Sequence, residues 1–459
     1  MWYNFFVSQF PSKPKKYDII IVGTGPAGIF ASLELTSKKN HRKIALIEMG
    51  DLIEKRKKED VMSGFGGAGT YSDGKLHYTP ELSHERAFHL ITKKKYQKIL
   101  DKIESAFKKF GVNSPIYPMD LSIINKMTAE AEQNNIELII RRLQHAGTDK
   151  LKTVISKIQK HLIDQKVELI SNTKIKDLLI EKGQCVGVVD SKGTKYRANK
   201  ILLAPGRISA KWLQEIAKKY GMKFHYGMVE VGVRVEFPES VMKTYADALY
   251  EVLLKVRTPT YDDIMRTFCA CPNGFVSVET YRDYVCVNGH SKSSHLSPNS
   301  NFAFVCEVHL TEPVENSIAY AESIAKLAST IGGGKPILQR LTDLRKNRRS
   351  TQSRLKKSIV QPSLKNITPG DISMALPHRL VTNILEGLVI LDKVMPGVNS
   401  GSTLLYAPEV KFRSSMITTD KKMQTTLNNV YVAGDASGLS GSITGAAATG
   451  IMAARGMLK

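Results

Sequence analysis

The chain of 459 residues lacks several features that mark whole classes of protein. It has five Cys, an odd number spread along the chain, which argues against a small fold held together by disulfides. Its 33 Gly follow no fixed period, which excludes a collagen-like fibre. We find no uncharged apolar run of about 18 residues, so we expect no membrane-spanning helix. The sequence therefore predicts a globular protein with reduced thiols, located in the cytoplasm and long enough for more than one domain.

Acidic residues are scarce relative to basic ones. The chain has 66 Lys and Arg against 43 Asp and Glu, a formal net charge of +23. Such an excess suits a nucleic-acid or membrane-surface partner. The lysines are dispersed, however, and no zinc-ligand spacing or recognition-helix module accompanies them. Solvated lysines are the simpler interpretation, and docking of a nucleic acid or protein on the densest patch, Arg345 to Lys357, stays the alternative.

A strand–turn–helix pattern opens the informative part of the chain. Residues 18–22 form an apolar, β-branched run that is typical of a strand buried on both faces of a parallel sheet. In the following turn, Gly23 permits the tight bend, Gly25 allows close approach of a pyrophosphate, and Gly28 lets helix and strand pack closely. Glu48 ends the next strand, where it could accept hydrogen bonds from ribose hydroxyls. The pattern predicts a dinucleotide site.

Two distant segments point to the kind of dinucleotide. The strand 429–433 ends in Gly434-Asp435, which resembles the C-terminal signature of flavoproteins of the glutathione-reductase class. In that class the Asp binds the ribityl chain of FAD, which NAD lacks. Ala204-Pro205-Gly206 resembles the intermediate turn of the same class. The resemblance therefore implies non-covalent FAD.

Residues 63–76, rich in glycine, resemble the signature of the FAD-dependent dehydrogenases, also called NAD(P)/FAD-dependent oxidoreductases. Further segments match that family in the same order: 267–274, 287–291, 376–379, 404–409 and 446–450. Phe65 and Asn273 depart from the family pattern. Because most substrates of this family are unassigned, the resemblance implies a fold and a cofactor more than a reaction.

The motifs together give a set of predicted cofactor-binding residues. They are Gly23, Gly25, Pro26, Ala27, Gly28, Glu48, Gly66, Gly67, Gly69, Thr70, Ser72, Lys75, Ala204, Gly206, Gly434, Asp435, Ser442, Thr444, Gly445 and Ala446. The last four begin a helix of small residues. In the resembled fold its N-terminus lies at the pyrimidine edge of the flavin, where its dipole favours negative charge. Close helix packing is the alternative reason for the small residues.

Other redox motifs are missing. No second Gly-x-Gly-x-x-Gly pattern occurs, and Gly332-Gly333-Gly334 lacks a preceding strand, so we expect NAD(P)H at most as a transient donor. Residues 49–80 contain no Cys, unlike flavin disulfide reductases. Cys269 and Cys271 are interpreted as packing residues, with a thiol pair facing the flavin as the alternative. No metal site is expected.

The fold class expected is α/β, with a Rossmann-like FAD-binding domain built on a parallel sheet and an inserted mixed α+β domain. The predicted divisions are an N-terminal extension (1–16), FAD-binding parts (17–80, 166–210 and 366–459), a helical segment (81–165) and an inserted substrate or cap domain (211–365).

The predicted activity is hydride transfer between a substrate carbon and flavin N5. His378, Arg379 and His290 are the candidate catalytic residues, and Asn288, Tyr406 and Glu409 are further polar candidates. A non-enzymatic flavin-binding protein is the other alternative. The partner is a small-molecule substrate or an electron-transfer protein.

Overall fold

The computed structural model describes residues 15–37, 42–57, 60–72, 74–80, 85–281, 283–290, 296–311, 316–412 and 415–459. The predicted N-terminal extension lies almost wholly outside these residues. The strands in the described part are β1 Lys15–Val22, β2 Ile44–Ile47, β3 Lys75–His77, β4 Ile116–Tyr117, β5 Ile136–Leu138, β6 Leu143–His145, β7 Glu168–Ile170, β8 Ile175–Glu181, β9 Gln184–Asp190, β10 Lys195–Leu203, β11 Phe224–His225, β12 Val229–Pro238, β13 Leu254–Arg257, β14 Ile264–Cys271, β15 Phe275–Thr280, β16 Val285–His290, β17 Asn299–Val308, β18 Ile337–Arg340, β19 Thr368–Pro369, β20 Leu404–Phe412, β21 Met416–Ile417 and β22 Val430–Val432.

The α-helices in the described part are α1 Pro26–Thr36, α2 Lys93–Lys109, α3 Leu121–Gln133, α4 Thr148–Asp164, α5 Ala210–Lys219, α6 Glu239–Leu249, α7 Ser317–Ile331, α8 Leu341–Arg345, α9 Gln352–Lys356, α10 His378–Leu391 and α11 Ile443–Met457. Within these residues, none is both long enough and apolar enough to cross a membrane.

The first sheet is the Rossmann-like unit that the sequence predicts. Its order is β7-β2-β1-β10-β9-β8, and β22 also pairs with β10. The strands β7, β2, β1, β10 and β22 run parallel, while β9 pairs antiparallel with both β10 and β8. Alternate residues of β1 enter two different cores, Ile19 and Ile21 on one face and Ile20 and Val22 on the other. Helices cover both faces, which explains the unbroken apolar run in this strand.

The second sheet is larger and mostly antiparallel. Its order is β19-β18-β20-β12-β17-β14-β13-β5, with only β18 and β19 parallel. Its core contains apolar side chains of α3, α6, α7 and α10. Smaller sheets join β15 to β16, β11 to β21, and β3, β6 and β4 to one another. This second body is the mixed α+β unit expected from the sequence.

The structure divides the chain differently from the predicted boundaries. Helix α10 and strand β20 pack in the second body, so the return to the first sheet follows β20 rather than residue 366. Helix α5, predicted in the insert, packs on the first sheet through Leu213 and Ile216. The segment 81–165 also contains β4, β5 and β6, and its α3 and β5 belong to the second body. Amphipathic patterns show that a helix has a buried face but not which sheet covers it.

Candidate functional site

The turn between β1 and α1 has the geometry that its glycines predict. Gly23 has φ of +101°, and a Cβ there would lie 2.2 Å from the Ala204 carbonyl oxygen. A Cβ on Gly28 would lie 2.0 Å from the Gly23 carbonyl oxygen, so the helix packs directly on the turn. Gly25 differs from both, because a Cβ there would meet nothing within 4 Å. The free space beside Gly25, at the N-terminus of α1, suits a phosphate group.

Glu48 lies under this turn and is 6% exposed. One carboxylate oxygen accepts hydrogen bonds from the backbone and hydroxyl of Thr24, the former at 3.0 Å. The other accepts from the amides of Gly50 and Gly64, both at 2.9 Å. Glu48 therefore holds three loops together as well as lining the cavity, a role that the sequence did not predict. Its contact with ribose stays a prediction.

The glycine-rich loop packs against the first turn. The Gly66 amide donates to the Thr24 carbonyl at 2.9 Å. A Cβ on Gly67 would lie 2.9 Å from the Gly25 Cα. Thr70 is fully buried, and its hydroxyl accepts a hydrogen bond from Arg56 Nη1 at 3.0 Å. The loop is therefore a packed part of the cavity wall rather than a free surface loop.

A cavity of about 450 Å³ brings most of the predicted residues together. Of the predicted cofactor-binding residues, these line it: Gly23, Gly25, Pro26, Ala27, Glu48, Gly67, Gly69, Ser72, Lys75, Ala204, Gly206, Gly434, Asp435, Ser442 and Ala446. The other predicted residues do not line it: Gly28, Gly66, Thr70, Thr444 and Gly445. Further lining residues come from the second body: Glu251, Phe268 and Cys269. Such a volume is ordinary for a small-molecule or cofactor site.

Asp435 and the start of α11 form another part of the wall. Asp435 contacts Arg207 Nη2 at 3.2 Å and accepts a hydrogen bond from the Ser440 hydroxyl at 2.5 Å. Ser442 caps α11 by accepting a hydrogen bond from the Gly445 amide at 3.0 Å. A Cβ on Gly450 would lie 2.1 Å from the Ala27 carbonyl oxygen, so α11 packs closely on α1. Both interpretations of the small residues, dipole and close packing, fit this geometry.

A buried charged cluster was only partly predicted. Glu251 lies 3.0 Å from Arg141 Nη1, 3.7 Å from His77 Nε2 and 3.8 Å from Lys75 Nζ. Burial favours a raised pKa for Glu251, but these basic neighbours outweigh it and lower the pKa to about 2. All four side chains line the cavity. Of the four, only Lys75 carried a sequence signal, because the others meet through tertiary folding.

The predicted catalytic residues do not line this cavity. His378 and Arg379 are exposed at the start of α10, where Arg379 contacts Asp263 at 2.6 Å. His290 is exposed at the end of β16. Their catalytic role stays a prediction. Tyr406, another polar candidate, is buried in the second sheet, where its hydroxyl donates to Glu236 at 2.5 Å.

The basic patch is partly used within the fold. Arg348 Nε lies 2.8 Å from a carboxylate oxygen of the fully buried Asp343, and Arg354 Nε lies 4.0 Å from the same oxygen. Arg345 donates to the Asn399 carbonyl at 2.9 Å. These arginines therefore hold local structure, and docking of a nucleic acid there stays a prediction. In the described part of the chain, no cluster of three or more His, Cys, Asp or Glu could hold a metal ion.

Comparison with known families gives one match, and it falls on the second body. Residues 228–412 match the model of a family described as FAD-dependent protein, C-terminal domain-like. Over these residues, the predicted family resemblance is confirmed. The matched range runs from β12 to the end of β20, so it follows the second sheet of the structure rather than the predicted boundary at residue 365.

Solved structures with a similar course of the chain include three enzymes. L-proline dehydrogenase from P. horikoshii is 13% identical, with 96% of this chain and 93% of that chain covered and a TM-score of 0.40. A 3-ketosteroid-delta4-(5alpha)-dehydrogenase from Rhodococcus jostii RHA1 is 11% identical, with 98% and 97% covered and a TM-score of 0.46. L-amino acid deaminase from Proteus vulgaris is 14% identical, with 50% of this chain and 66% of that chain covered and a TM-score of 0.30. TM-scores below 0.5 carry no information on activity, and no curated protein sequence gives a match.

Proposed function

We propose that this chain is an FAD-dependent oxidoreductase that moves a hydride between flavin N5 and a carbon atom of a small-molecule substrate. The observation that carries the proposal is the shared cavity, which joins a dinucleotide-type turn of the first body to a charged cluster that includes Glu251 of the second body. The matched family, described as FAD-dependent, supports the same cofactor.

The residues present fit FAD. The open space at Gly25, together with the N–H groups at the start of α1, would hold the pyrophosphate. Glu48 and Asp435 offer carboxylate oxygens to sugar or ribityl hydroxyls, and the capped N-terminus of α11 favours negative charge on a ring placed beside it. When bound, FAD would supply the group that accepts or donates the hydride.

The charged cluster is proposed to act on the substrate. Lys75 and Arg141 outnumber Glu251 in positive charge, so the cluster favours a substrate group that is anionic or gains negative charge. His77 is placed beside Glu251 and can move a proton. Glu251 stays ionised because of its low pKa, so it orients these basic groups rather than donating a proton.

Cofactor content and a glycine substitution test the proposal. The purified protein should release about one FAD per chain on denaturation, with no covalent link. Gly25→Ala should leave the unfolding of the protein without FAD unchanged, because the added methyl meets no protein atom, but weaken FAD binding at least about tenfold, or about 1.4 kcal/mol. Gly401→Ala, whose methyl would lie 3.2 Å from Thr342, is the control and should keep FAD affinity.

Two outcomes would contradict the proposed cofactor. Release of FMN, or unchanged FAD affinity in Gly25→Ala, would refute the cofactor placement. The reaction itself is tested by anaerobic mixing with NADH, NADPH and a metabolite library while the flavin absorbance is followed. A flavin that no compound reduces would favour the non-enzymatic alternative.

A further inference from the structure

Cys269 lies where strand β14 departs from regular geometry. The pairing of β14 with β17 shifts register between Phe268 and Cys271. Cys269 has φ of +48°, a conformation that residues with side chains rarely adopt and that commonly marks a functional site. Phe268 and Cys269 line the cavity, and Cys271 is buried behind them. The irregular strand therefore presents one thiol of the pair to the proposed cofactor site.

A wholly buried arginine holds both cysteines. Arg234 Nη2 donates to the Cys269 carbonyl at 2.7 Å and contacts Cys271 Sγ at 3.3 Å. Arg234 Nε donates to Asn301 at 2.8 Å. A Cβ on Gly289 would lie 1.6 Å from Nη2, so the strand β16 closes over the guanidinium. Arg234 is thus fixed beside the Cys271 thiol and the Cys269 backbone rather than free to turn to water.

The charges around this arginine leave room for an anion. Arg234 Nη1 lies 3.6 Å from a Glu409 carboxylate oxygen, and Lys411 Nζ lies 2.6 Å from the same oxygen. Arg234 and Lys411 therefore share the Glu409 carboxylate in a largely buried site, and the charge of Glu279 also acts on Lys411. Among the described residues, Arg234 Nη1 has no hydrogen-bond acceptor. The cations beside Cys269 would stabilise a thiolate there.

The acidities of the two thiols point in opposite directions. The hydrogen bond with Cys271, and then the charges of Arg234, Lys75 and Lys411, hold the pKa of Cys269 well below its ordinary value. The pKa of Cys271 is raised well above it by that same bond and by burial. One reactive thiolate next to one protonated thiol is the arrangement that dithiol redox chemistry requires.

We propose that Cys269 and Cys271 form a redox-active dithiol beside the flavin, which would make disulfides or dithiols a second substrate class of this cavity, next to the substrate that exchanges a hydride with the flavin. The inference rests on the proposed FAD function. The Cys269 thiolate and the Cys271 thiol form an Sγ–Sγ bond and release two electrons and one proton, for which FAD is the oxidant. In the other direction, reduced FAD would return two electrons to the Cys269–Cys271 disulfide, which with one proton becomes the thiolate and thiol again. The Cys269 thiolate then attacks a disulfide substrate and releases its first half as a thiolate. Cys271 loses its proton and attacks Cys269 Sγ of the mixed disulfide, which releases the second half and re-forms the Cys269–Cys271 bond.

Thiol titration of the full-length protein with its cofactor tests this. The protein is equilibrated without oxygen in glutathione redox buffers, quenched with an alkylating reagent and mapped by peptide mass. The peptide that holds both cysteines should lose two hydrogen atoms in a two-electron transition. In Cys271→Ser, Cys269 should instead carry glutathione. Cys306→Ala removes a buried thiol on strand β17 and is the control. It should leave the transition unchanged.

The pH dependence of alkylation gives a second readout. Iodoacetamide should modify Cys269 at pH 7 at least about tenfold faster than Cys306, because only the thiolate reacts and the pKa of Cys306 is raised to about 12 by burial. Cys271→Ser should move the pH profile of Cys269 alkylation to higher pH.

A cysteine pair that stays a dithiol in every buffer, or a Cys269 that reacts no faster than Cys306, overturns the inference. If such a protein still binds FAD, the proposed function stands. If it binds none, the proposed function fails while the thiol titration still decides the dithiol.

Discussion

At the scale of single residues, Glu251 shows how a buried charge is tolerated. Its carboxylate is removed from water but faces three basic side chains. Since its pKa in the fold is about 2 against an ordinary 4.5, the ionised form stabilises the folded state. That contribution to the free energy of unfolding is complete above about pH 4.5 and is lost as the pH falls towards 2. In this range the unfolded chain binds a proton at Glu251 that the folded protein does not yet bind. The shift corresponds to about 3 kcal/mol.

Glu251→Gln should therefore destabilise the protein by about 3–5 kcal/mol at pH 7, since the substitution leaves buried cations without their counter-charge. Urea unfolding of the variant and the natural protein, from pH 7 down to pH 3, measures the difference. We expect the difference between their free energies of unfolding to become smaller as the pH falls. Glu137→Gln, at an exposed pair with Lys255, is the control and should cost less than about 1 kcal/mol. A gap that does not change with pH would contradict the assigned pKa.

Glu48 should matter for both the cofactor and the fold. Glu48→Ala should weaken FAD binding by about 10-fold to 150-fold, the effect of losing a charged hydrogen-bond acceptor worth about 1.5–3 kcal/mol. It should also lower the stability of the protein without FAD, because the amides of Gly50 and Gly64 lose their acceptor. Fluorescence titration with FAD and urea unfolding separate the two effects. An unchanged FAD affinity would show that ribose lies elsewhere.

The sequence predicted best the roles of residues that depend on local backbone geometry. Gly23 and Gly28 have the close contacts that their positions in the motif require. Arg379 was predicted as catalytic from its place beside a histidine. In the fold it pairs with Asp263, and its catalytic role stays a prediction. The meeting of Arg141 with Glu251 across 110 positions depends on tertiary folding, and no local pattern announces it.

At the scale of elements, α1 and α11 form a single packed pair under the cavity. Gly450→Ala would place a methyl group 2.1 Å from the Ala27 carbonyl oxygen. Forcing the helices apart should cost about 1–3 kcal/mol and weaken FAD binding, because α1 carries the phosphate-binding turn. Thermal unfolding and FAD titration measure both effects. A variant with lowered stability but natural FAD affinity would mean that α11 does not set the position of this turn.

The two strands that the sequence predicts at 18–22 and 429–433 are present as β1 Lys15–Val22 and β22 Val430–Val432. Their pattern of buried residues is encoded locally. Assignment to a sheet was less successful, since α10 and β20 were placed with the FAD-binding domain. Two amphipathic helices look alike in sequence whichever sheet they cover.

At the scale of the whole molecule, the described residues contain one sheet of the dinucleotide-binding type. Gly332-Gly333-Gly334 follows helix α7 and leads into β18, which is the reverse of a strand–glycine–helix order. NADH and NADPH should therefore bind with a Kd weaker than about 1 μM, or roughly −8 kcal/mol. Isothermal titration with each nucleotide measures this. A tighter complex would reveal a nicotinamide site that no glycine motif marks.

The close contact of α1 with α11 also has a consequence for biosynthesis. Strand β1 and helix α1 leave the ribosome before the second body, whereas β22 and α11 follow only after the entire second body has been made. Until then the apolar face that α1 turns towards Gly450 has no cover, and the cofactor cavity lacks the wall around Ser442. A nascent chain can therefore complete its FAD cavity only after α11 has been made, and the face of α1 that α11 covers stays exposed until then.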